Sequence, residues 1–198
     1  MTSKAAELDQ VYALYNGGTA VLQEAAAGRP PVRGAGPLHA PVVLVGEAPG
    51  AVEEKEGAPF LGPSGQLLRH LFARAGVPWE FCYRTNVLPW RPPGNRTPYP
   101  YEVTALRPRL VQEITIISPL IVIAAGGTAW RGLTAGRQGS FTDNRGAWLK
   151  WQAPELTCDL ISIWHPGAIL RAYGDQREQM ETETVTALRS VTEGDRAS

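Results

Sequence analysis

Residues 42–60 read VVLVGEAPGAVEEKEGAPF, and this stretch decides the fold. Its first four residues are an apolar run rich in valine, which predicts a buried strand. The run stops at a turn rich in Gly and Pro that places the carboxylate of Glu47 at the carboxyl end of the strand. Open α/β sheets bind ligands at this end of their strands. Glu53 and Phe60 follow shortly after, so the stretch predicts acids and an aromatic ring beside a small flat ligand.

The composition is that of a globular protein with one core. The chain has 198 residues, 43% of them hydrophobic, and its formal net charge is zero. A chain of this length buries about 70% of its unfolded surface. We expect one domain over residues 1–198, with an N-terminal helical region at 1–28 and a loose tail at 192–198. No apolar run approaches the ~20 residues of a membrane span, and two cysteines are too few for a disulfide framework. We therefore expect a cytoplasmic monomer that is not bound to a membrane.

Strands and helices alternate along the sequence. Apolar runs predict four strands, at residues 42–45, 81–88, 120–125 and 160–164. Apolar positions at helical spacing lie between them, and this alternation is typical of a parallel sheet covered by helices on both faces. The sequence thus predicts the α/β class.

Polar side chains follow three of the predicted strands. Glu47 follows the first strand, Asn86 lies near the end of the second, and His165 follows the fourth. Because the carboxyl ends of parallel strands share one rim of the sheet, these side chains are expected to converge there. Each also has a structural alternative, such as capping a turn or satisfying loop backbone, and Phe60 fits an ordinary core aromatic. Their common position favours a site.

Arginine supplies nearly all of the positive charge. Between residues 84 and 109 the chain carries five arginines against a single acid, Glu102. Arginine forms bidentate bonds to phosphate and stacks on flat groups, which is typical of nucleic-acid contacts. The neutral overall charge argues against a globally basic nucleic-acid binder, and on charge alone a solvated surface is the better explanation of the arginines.

Three separated blocks stand out along the sequence: residues 46–65, with GEAPG and GAPFLGPSG; residues 85–96, with TNV and RPPGNR; and residues 165–171, HPGAILR. In this order they resemble the motifs of family 4 uracil-DNA glycosylases. The resemblance implies a three-layer α/β/α sandwich with a central four-stranded parallel sheet. It also implies a DNA glycosylase that flips a uracil, or another deaminated or modified base, out of DNA and hydrolyses its N-glycosidic bond.

The resemblance assigns roles around the base. Glu47, assisted by Glu53, is expected to activate water or to stabilise positive charge on the sugar, and His165 to stabilise negative charge on the departing base. Phe60 is expected to stack on the base, and Asn86 to pair with its edge through the side-chain amide. The predicted base-binding residues are Ala48, Phe60 and Asn86.

DNA contacts are expected from two loops. Arg91, Asn95 and Arg96 form the first, which three nearby prolines stiffen. In the second, Ala168, Ile169 and Leu170 are expected to enter the space that the base vacates, with Arg171 on a phosphate. Packing of this apolar group against the last helix is the alternative.

One feature departs from the family, whose members ligate an iron–sulfur cluster through four cysteines. Trp90 and Leu106 stand at two of the ligand positions, and residues 17–22, where the other pair belongs, contain no cysteine. Cys82 and Cys158 are expected to be buried apolar side chains. We therefore expect no cluster, metal or other cofactor, and apolar packing in place of the cluster.

Two other functional classes remain open on the sequence. A catalytically weak or inactive relative would bind DNA or a modified base without cleaving it. A nucleotide-binding enzyme would use the same rim, with the Gly126-Gly127 turn at a phosphate, although this turn does not match a phosphate-loop pattern. The paired acid and donor at two strand ends favour the glycosylase.

Overall fold

The structure is a computed structural model that describes residues 2–16, 26 and 28–193. In chain order its elements are α1 (Lys4–Asn16), β1 (Val42–Gly46), α2 (Ala51–Glu56), α3 (Pro63–Ala75), β2 (Cys82–Asn86), α4 (Pro100–Ile117), β3 (Ile121–Ala125), α5 (Gly127–Thr134), β4 (Leu149–Ala153), β5 (Leu156–Ile163), α6 (Pro166–Arg171) and α7 (Gly174–Glu193). None of the helices in this described part of the chain is long and apolar enough to cross a membrane.

The strands form one sheet in the order β2-β1-β3-β5-β4. Strands β2, β1, β3 and β5 are parallel to one another, as predicted, and each overlaps one of the four predicted strands, although β5 begins at Leu156, four residues earlier than predicted. Strand β4 pairs antiparallel with β5 at the edge. The α/β class is confirmed, but the predicted count of four strands is wrong, because the sheet has five.

The fifth strand has a weak sequence signal for a physical reason. Its sequence LKWQA contains one buried side chain, Trp151, flanked by partly or fully exposed residues. An edge strand that buries a single side chain does not produce the continuous apolar run that marked the other four.

Helices cover both faces of the sheet and separate two cores. Alternate residues of β1 point to opposite faces, so Val43 and Val45 join one core while Val42 and Leu44 join the other. Helices α1, α4 and α5 supply the first core, and α3, α6 and α7 supply the second. The parallel strands are therefore buried on both sides, and their carboxyl ends are left for a site.

A charged network is buried in the first core, between α1, α4 and β2. The side chains of Arg109 and Glu113 are fully buried and form an ion pair of 2.6 Å. The Glu113 carboxylate also accepts hydrogen bonds from the hydroxyls of Tyr12, Tyr83 and Thr85. Burial, reinforced by the Glu113 charge, raises the pKa of both tyrosines, so they remain neutral donors.

The structure at the two ends of the chain agrees with the predictions only in part. Helix α7 continues to Glu193, so residues 192 and 193, predicted to begin the loose tail, are helical. The N-terminal helical region is observed as α1. Residues 194–198 and the part of the predicted helical region at 17–25 lie outside the described residues.

Candidate active site

A cavity of about 610 Å³ opens at the carboxyl ends of the parallel strands. It forms where β1, β2 and β5 end, so the expected convergence of polar side chains at this rim is observed. The predicted site residues that line it are Glu47, Ala48, Glu53, Phe60, Asn86, Asn95, Arg96, His165 and Arg171.

Gly46 lets two of these side chains meet over the end of β1. A Cβ atom at Gly46 would lie 2.3 Å from Oδ1 of Asn86 and 2.7 Å from Cζ of Phe60. Both distances are far below van der Waals contact, so only glycine accommodates both side chains here. The strand register pairs Gly46 with Asn86, which brings the two strand ends level.

Phe60 is held in one orientation from several sides. Its backbone is left-handed, with φ of 60°, which is uncommon outside glycine. Gly65 packs so closely on it that a Cβ there would lie 2.0 Å from the Phe60 carbonyl oxygen. Trp79 meets the Phe60 ring edge to face, with 6.3 Å between the ring centroids. The ring is therefore prepositioned as one side of the cavity.

The two predicted catalytic acids, Glu47 and Glu53, have different surroundings. Both oxygens of Glu53, which is 7% exposed, accept main-chain N–H groups, from Gly50 at 3.1 Å and from Leu61 and Gly62 at 3.0 and 2.7 Å. These hydrogen bonds connect the two ends of the segment at residues 50–62 through one carboxylate. Glu47 is half-buried, and its Oε2 accepts a 2.6 Å hydrogen bond from the hydroxyl of Thr128.

His165 is the N-cap residue of α6, and its hydrogen bonding defines its tautomer. Its Nδ1 accepts a hydrogen bond of 3.1 Å from the main-chain N–H of Gly167. Burial lowers the pKa of His165, and the positive charge of Arg171 adds to this, while the Glu47 carboxylate opposes it. The neutral ring therefore carries its proton on Nε2, where it is a hydrogen-bond donor.

Asn86 is positioned through its main chain. The side chain is buried, and its main-chain oxygen accepts a hydrogen bond from the guanidinium of Arg109, which also bonds the oxygen of Val87. The buried network in the first core thus extends to the residue predicted to pair with the base.

Ion pairs hold the predicted DNA-binding loop to the neighbouring helices α2 and α4. Arg91 lies 3.3 Å from Glu54 of α2 and donates a 2.6 Å hydrogen bond to Oδ1 of Asn95. Arg96 forms two bonds of 2.8 Å to the carboxylate of Glu102, which is 4% exposed. Both arginines, expected on phosphates, are paired with acids in this structure.

The second predicted DNA contact needs a correction. Ile169 is fully buried and packs in the second core, so the prediction that it enters DNA is wrong. It occupies the inner face of the short helix α6, where it covers the sheet. Ala168 is half-buried against the same core, whereas Leu170 is 36% exposed. The alternative of packing therefore holds for Ile169, and Leu170 stays a candidate for DNA contact.

The described residues do not fit an iron–sulfur cluster. Cys82 packs in the second core and Cys158 in the first, on opposite faces of the sheet. Burial raises the pKa of each thiol to about 12, so neither is a ready thiolate ligand. Trp90 and Leu106 are both buried in the first core, and the Trp90 indole N–H donates to the oxygen of Arg29 at 3.1 Å. Residues 17–22 lie outside the described part of the chain.

Sequence reasoning missed two residues that touch this site, Thr128 and Arg109. Thr128 lies beside the Gly126-Gly127 turn, which drew attention only as a weak phosphate-binding pattern. A sequence pattern that could have identified Arg109 exists. Arg109 and Glu113 stand four residues apart, the spacing of an ion pair on one helix face, and the neighbouring positions of that helix are apolar.

Comparisons with known proteins identify a matching family and several similar proteins. Residues 33–189 match the uracil DNA glycosylase superfamily. The chain is 36% identical over 159 residues to a type-4 uracil-DNA glycosylase of Thermotoga maritima, covering 80% of this chain and 81% of that protein. It is 39% identical over 143 residues to one of Pyrobaculum aerophilum, covering 71% and 73%. It is 36% identical over 156 residues to one of Archaeoglobus fulgidus, covering 77% of each.

Proposed function

The chain belongs to the uracil-DNA glycosylase superfamily, and from that premise we propose that it removes uracil from DNA by hydrolysing the N-glycosidic bond. The observation that carries the proposal is the convergence of Glu47, Phe60, Asn86 and His165 on one cavity at the sheet rim. These side chains come from separate segments, and together they offer an acid, a flat apolar surface, an amide and a neutral hydrogen-bond donor. An extruded pyrimidine needs each of these groups.

The base is bound by stacking and by its polar edge. The uracil ring lies against Phe60, whose orientation is fixed by Gly65 and Trp79. The side-chain amide of Asn86 offers both a donor and an acceptor to the Watson–Crick edge of the base. Uracil must leave the DNA stack to reach these groups, which costs a few kcal/mol.

His165 acts on the departing base. When the bond between the sugar and the base breaks, its electron pair moves onto the pyrimidine and negative charge collects on a ring carbonyl oxygen. The Nε2–H of neutral His165 donates a hydrogen bond to that oxygen, and a prepositioned donor of this kind stabilises a developing anion strongly. The bond from Gly167 to Nδ1 keeps the ring in the correct tautomer.

Glu47 acts on the sugar and on water. Its negative charge stabilises the positive charge that develops on the sugar, and it accepts the proton of the water whose oxygen bonds the anomeric carbon. The departing pyrimidine anion takes up a proton and Glu47 releases the one that it accepted, so the products are neutral free base and an abasic site in an intact strand. Every step uses side chains of the chain itself.

Glu53 shapes the site without touching the substrate. Its carboxylate oxygens accept three main-chain N–H groups, so its role in this proposal is to hold the loop that carries Phe60. The loop at residues 91–96 contacts the DNA strand, and in α6 the side chain of Leu170 lies beside the vacated base and that of Arg171 near the phosphate.

The cellular setting is part of the same proposal. We propose that the protein acts as a monomer in the cytoplasm. The two cysteines are both free and buried, which fits a reducing compartment. Size-exclusion chromatography with light scattering tests the monomer, and a stable dimer at micromolar concentration would contradict it.

A cleavage assay tests the proposed activity. Oligonucleotides that contain uracil, hypoxanthine, xanthine or hydroxymethyluracil, single- and double-stranded, are incubated with the protein and heated in alkali, which breaks the strand at abasic sites. We expect cleavage at uracil that is lost in Glu47→Ala and His165→Ala. Binding to uracil DNA with no cleavage of any base would instead identify a relative that binds without catalysis.

A further inference from the structure

We propose that Thr128 is a positioning residue that orients the Glu47 carboxylate for catalysis. This inference rests on the proposed function. It starts from one contact, the hydrogen bond of 2.6 Å that the Thr128 hydroxyl donates to Oε2 of Glu47. The two residues lie 81 positions apart and come from the segments that follow β3 and β1.

The Thr128 hydroxyl bonds a side chain of a distant segment and not the main chain of its own helix. Threonines on helices commonly bond the carbonyl oxygen four residues earlier. Four other threonines on described helices do so: Thr104, Thr115, Thr134 and Thr184. Thr128 instead lies in the first turn of α5, where the residue four positions earlier is still in strand β3. Its hydroxyl is therefore directed to the acid across the rim.

The bond fixes one oxygen of Glu47 and leaves the other for chemistry. Thr128 is 5% exposed, and a buried hydroxyl is rarely left without a partner, so Glu47 satisfies a group that water does not reach. Among the described residues, no other hydrogen bond reaches the Glu47 carboxylate. Its Oε1 is therefore available to the attacking water, at an angle set by the bond to Oε2.

The turn before Thr128 also touches the second catalytic segment. Gly126 has a left-handed φ of 95°, and a Cβ there would lie 2.6 Å from the Cβ of His165. The Gly126 N–H donates a 3.0 Å hydrogen bond to the oxygen of Ile163, two residues before His165. This N–H is thus used within the protein and is not offered to a phosphate. Residues 126–128 therefore contact both Glu47 and His165 and fix the position of one relative to the other.

The same helix provides a matched control. Thr134 is also buried, at 4% exposure, and its hydroxyl bonds the carbonyl oxygen of Trp130 within α5. Thr128→Val and Thr134→Val each delete one buried hydroxyl from one helix without a large change of volume. Only the first deletion removes a bond to the catalytic acid, so the pair separates positioning from stability.

The experiment measures the single-turnover rate of uracil release, and separately the affinity for an oligonucleotide whose 2′-fluorinated deoxyuridine resists hydrolysis. We expect Thr128→Val to lower the rate about tenfold or more, as loss of a hydrogen bond to a charged group implies. Affinity should stay within about twofold, because the bond acts on the chemical step. Thr128→Ser should restore most of the rate, and Thr134→Val should match the wild-type rate while losing comparable thermal stability.

Three results would overturn the inference while leaving the proposed function intact. They are a wild-type rate in Thr128→Val, a Thr128→Ser variant as slow as Thr128→Val, and a loss confined to DNA affinity. A wild-type protein that releases no uracil would overturn the proposed function itself, and this inference with it.

Discussion

The guanidinium of Arg109 donates a hydrogen bond to the main-chain oxygen of Asn86 and so connects the buried charge of α4 to the cavity. Arg109 and Glu113 have no exposed side-chain surface, and their neighbours are the hydroxyls of two tyrosines and a threonine. Such a network is costly to disturb, because a buried polar or charged group that loses its partner keeps the full cost of its desolvation. Here it also holds the strand end that carries the predicted base-pairing side chain.

The first prediction concerns this network. Glu113→Gln keeps the shape of the side chain but leaves the Arg109 charge buried without a counter-charge. We expect a loss of about 3–5 kcal/mol in the free energy of unfolding, measured by urea denaturation. Glu178→Gln, at an exposed position of α7, should change it by less than about 0.5 kcal/mol. Equal stability of Glu113→Gln and wild type would show that Arg109 is not a buried charge.

The second prediction concerns pH. The pKa of His165 is lowered by burial and by Arg171, so the ring stays neutral to below its ordinary value of about 6.5. We expect a constant rate of uracil release across neutral pH and a fall only in more acidic solution, where the ring protonates and loses the bond from Gly167. Arg171→Gln should raise the pKa of His165 and move this fall to higher pH.

Arg177→Gln is the control for that shift, because Arg177 is exposed on α7 and pairs with Glu181. It should leave the pH profile of the rate unchanged. A rate that increases on acidification would mean that the charged ring is the active form, against the proposed mechanism.

The third prediction concerns the exposed leucine of α6. Leu170→Ala should slow uracil release from double-stranded DNA, because an apolar side chain helps to fill the gap left by the flipped base. Release from single-stranded DNA should change little. Leu120→Ala is the control, since Leu120 is 62% exposed but precedes β3 at the opposite rim. Equal loss on both DNA forms would contradict a role in filling the gap.

The fourth prediction concerns Arg91, which Glu54 holds near the cavity. We expect Arg91 to exchange this acid for a phosphate when DNA binds. Arg91→Gln should therefore make the negative slope of log affinity against log salt shallower by about one. The measurement is a salt titration of binding to a non-cleavable uracil oligonucleotide. Arg189→Gln, at an exposed position late in α7, should keep the wild-type slope. An unchanged slope in Arg91→Gln would show that Arg91 stays with Glu54.

The sequence was informative where a continuous pattern carried the signal. Apolar runs located the four parallel strands, and the rule that parallel strands end on one rim brought Glu47, Asn86 and His165 together as observed. Strand β4 was missed because an edge strand with one buried residue has no such run. Packing of the apolar group at residues 168–170 was one of two alternatives, and the sequence did not show that Ile169 is the buried member because a helix of six residues is too short for its inner face to be distinguished.

Contacts between distant segments could not be predicted from the sequence for a related reason. A hydroxyl has no periodic signature, so nothing in the sequence directs Thr128 to Glu47. Likewise, a charged pair four residues apart is usually a surface feature, and only the packing of α4 on the sheet shows that Arg109 and Glu113 are buried.

The most direct measurement of the central claim is mass-spectrometric detection of free uracil released from a uracil-containing oligonucleotide by wild type and Gly46→Ala. The added Cβ would lie 2.3 Å from Oδ1 of Asn86 and 2.7 Å from Cζ of Phe60, so it displaces both base-binding side chains without deleting either. We predict free uracil and an intact abasic strand from wild type, and almost none from a folded Gly46→Ala. No uracil from wild type, or equal release by Gly46→Ala, would contradict the assignment of this cavity as the uracil site.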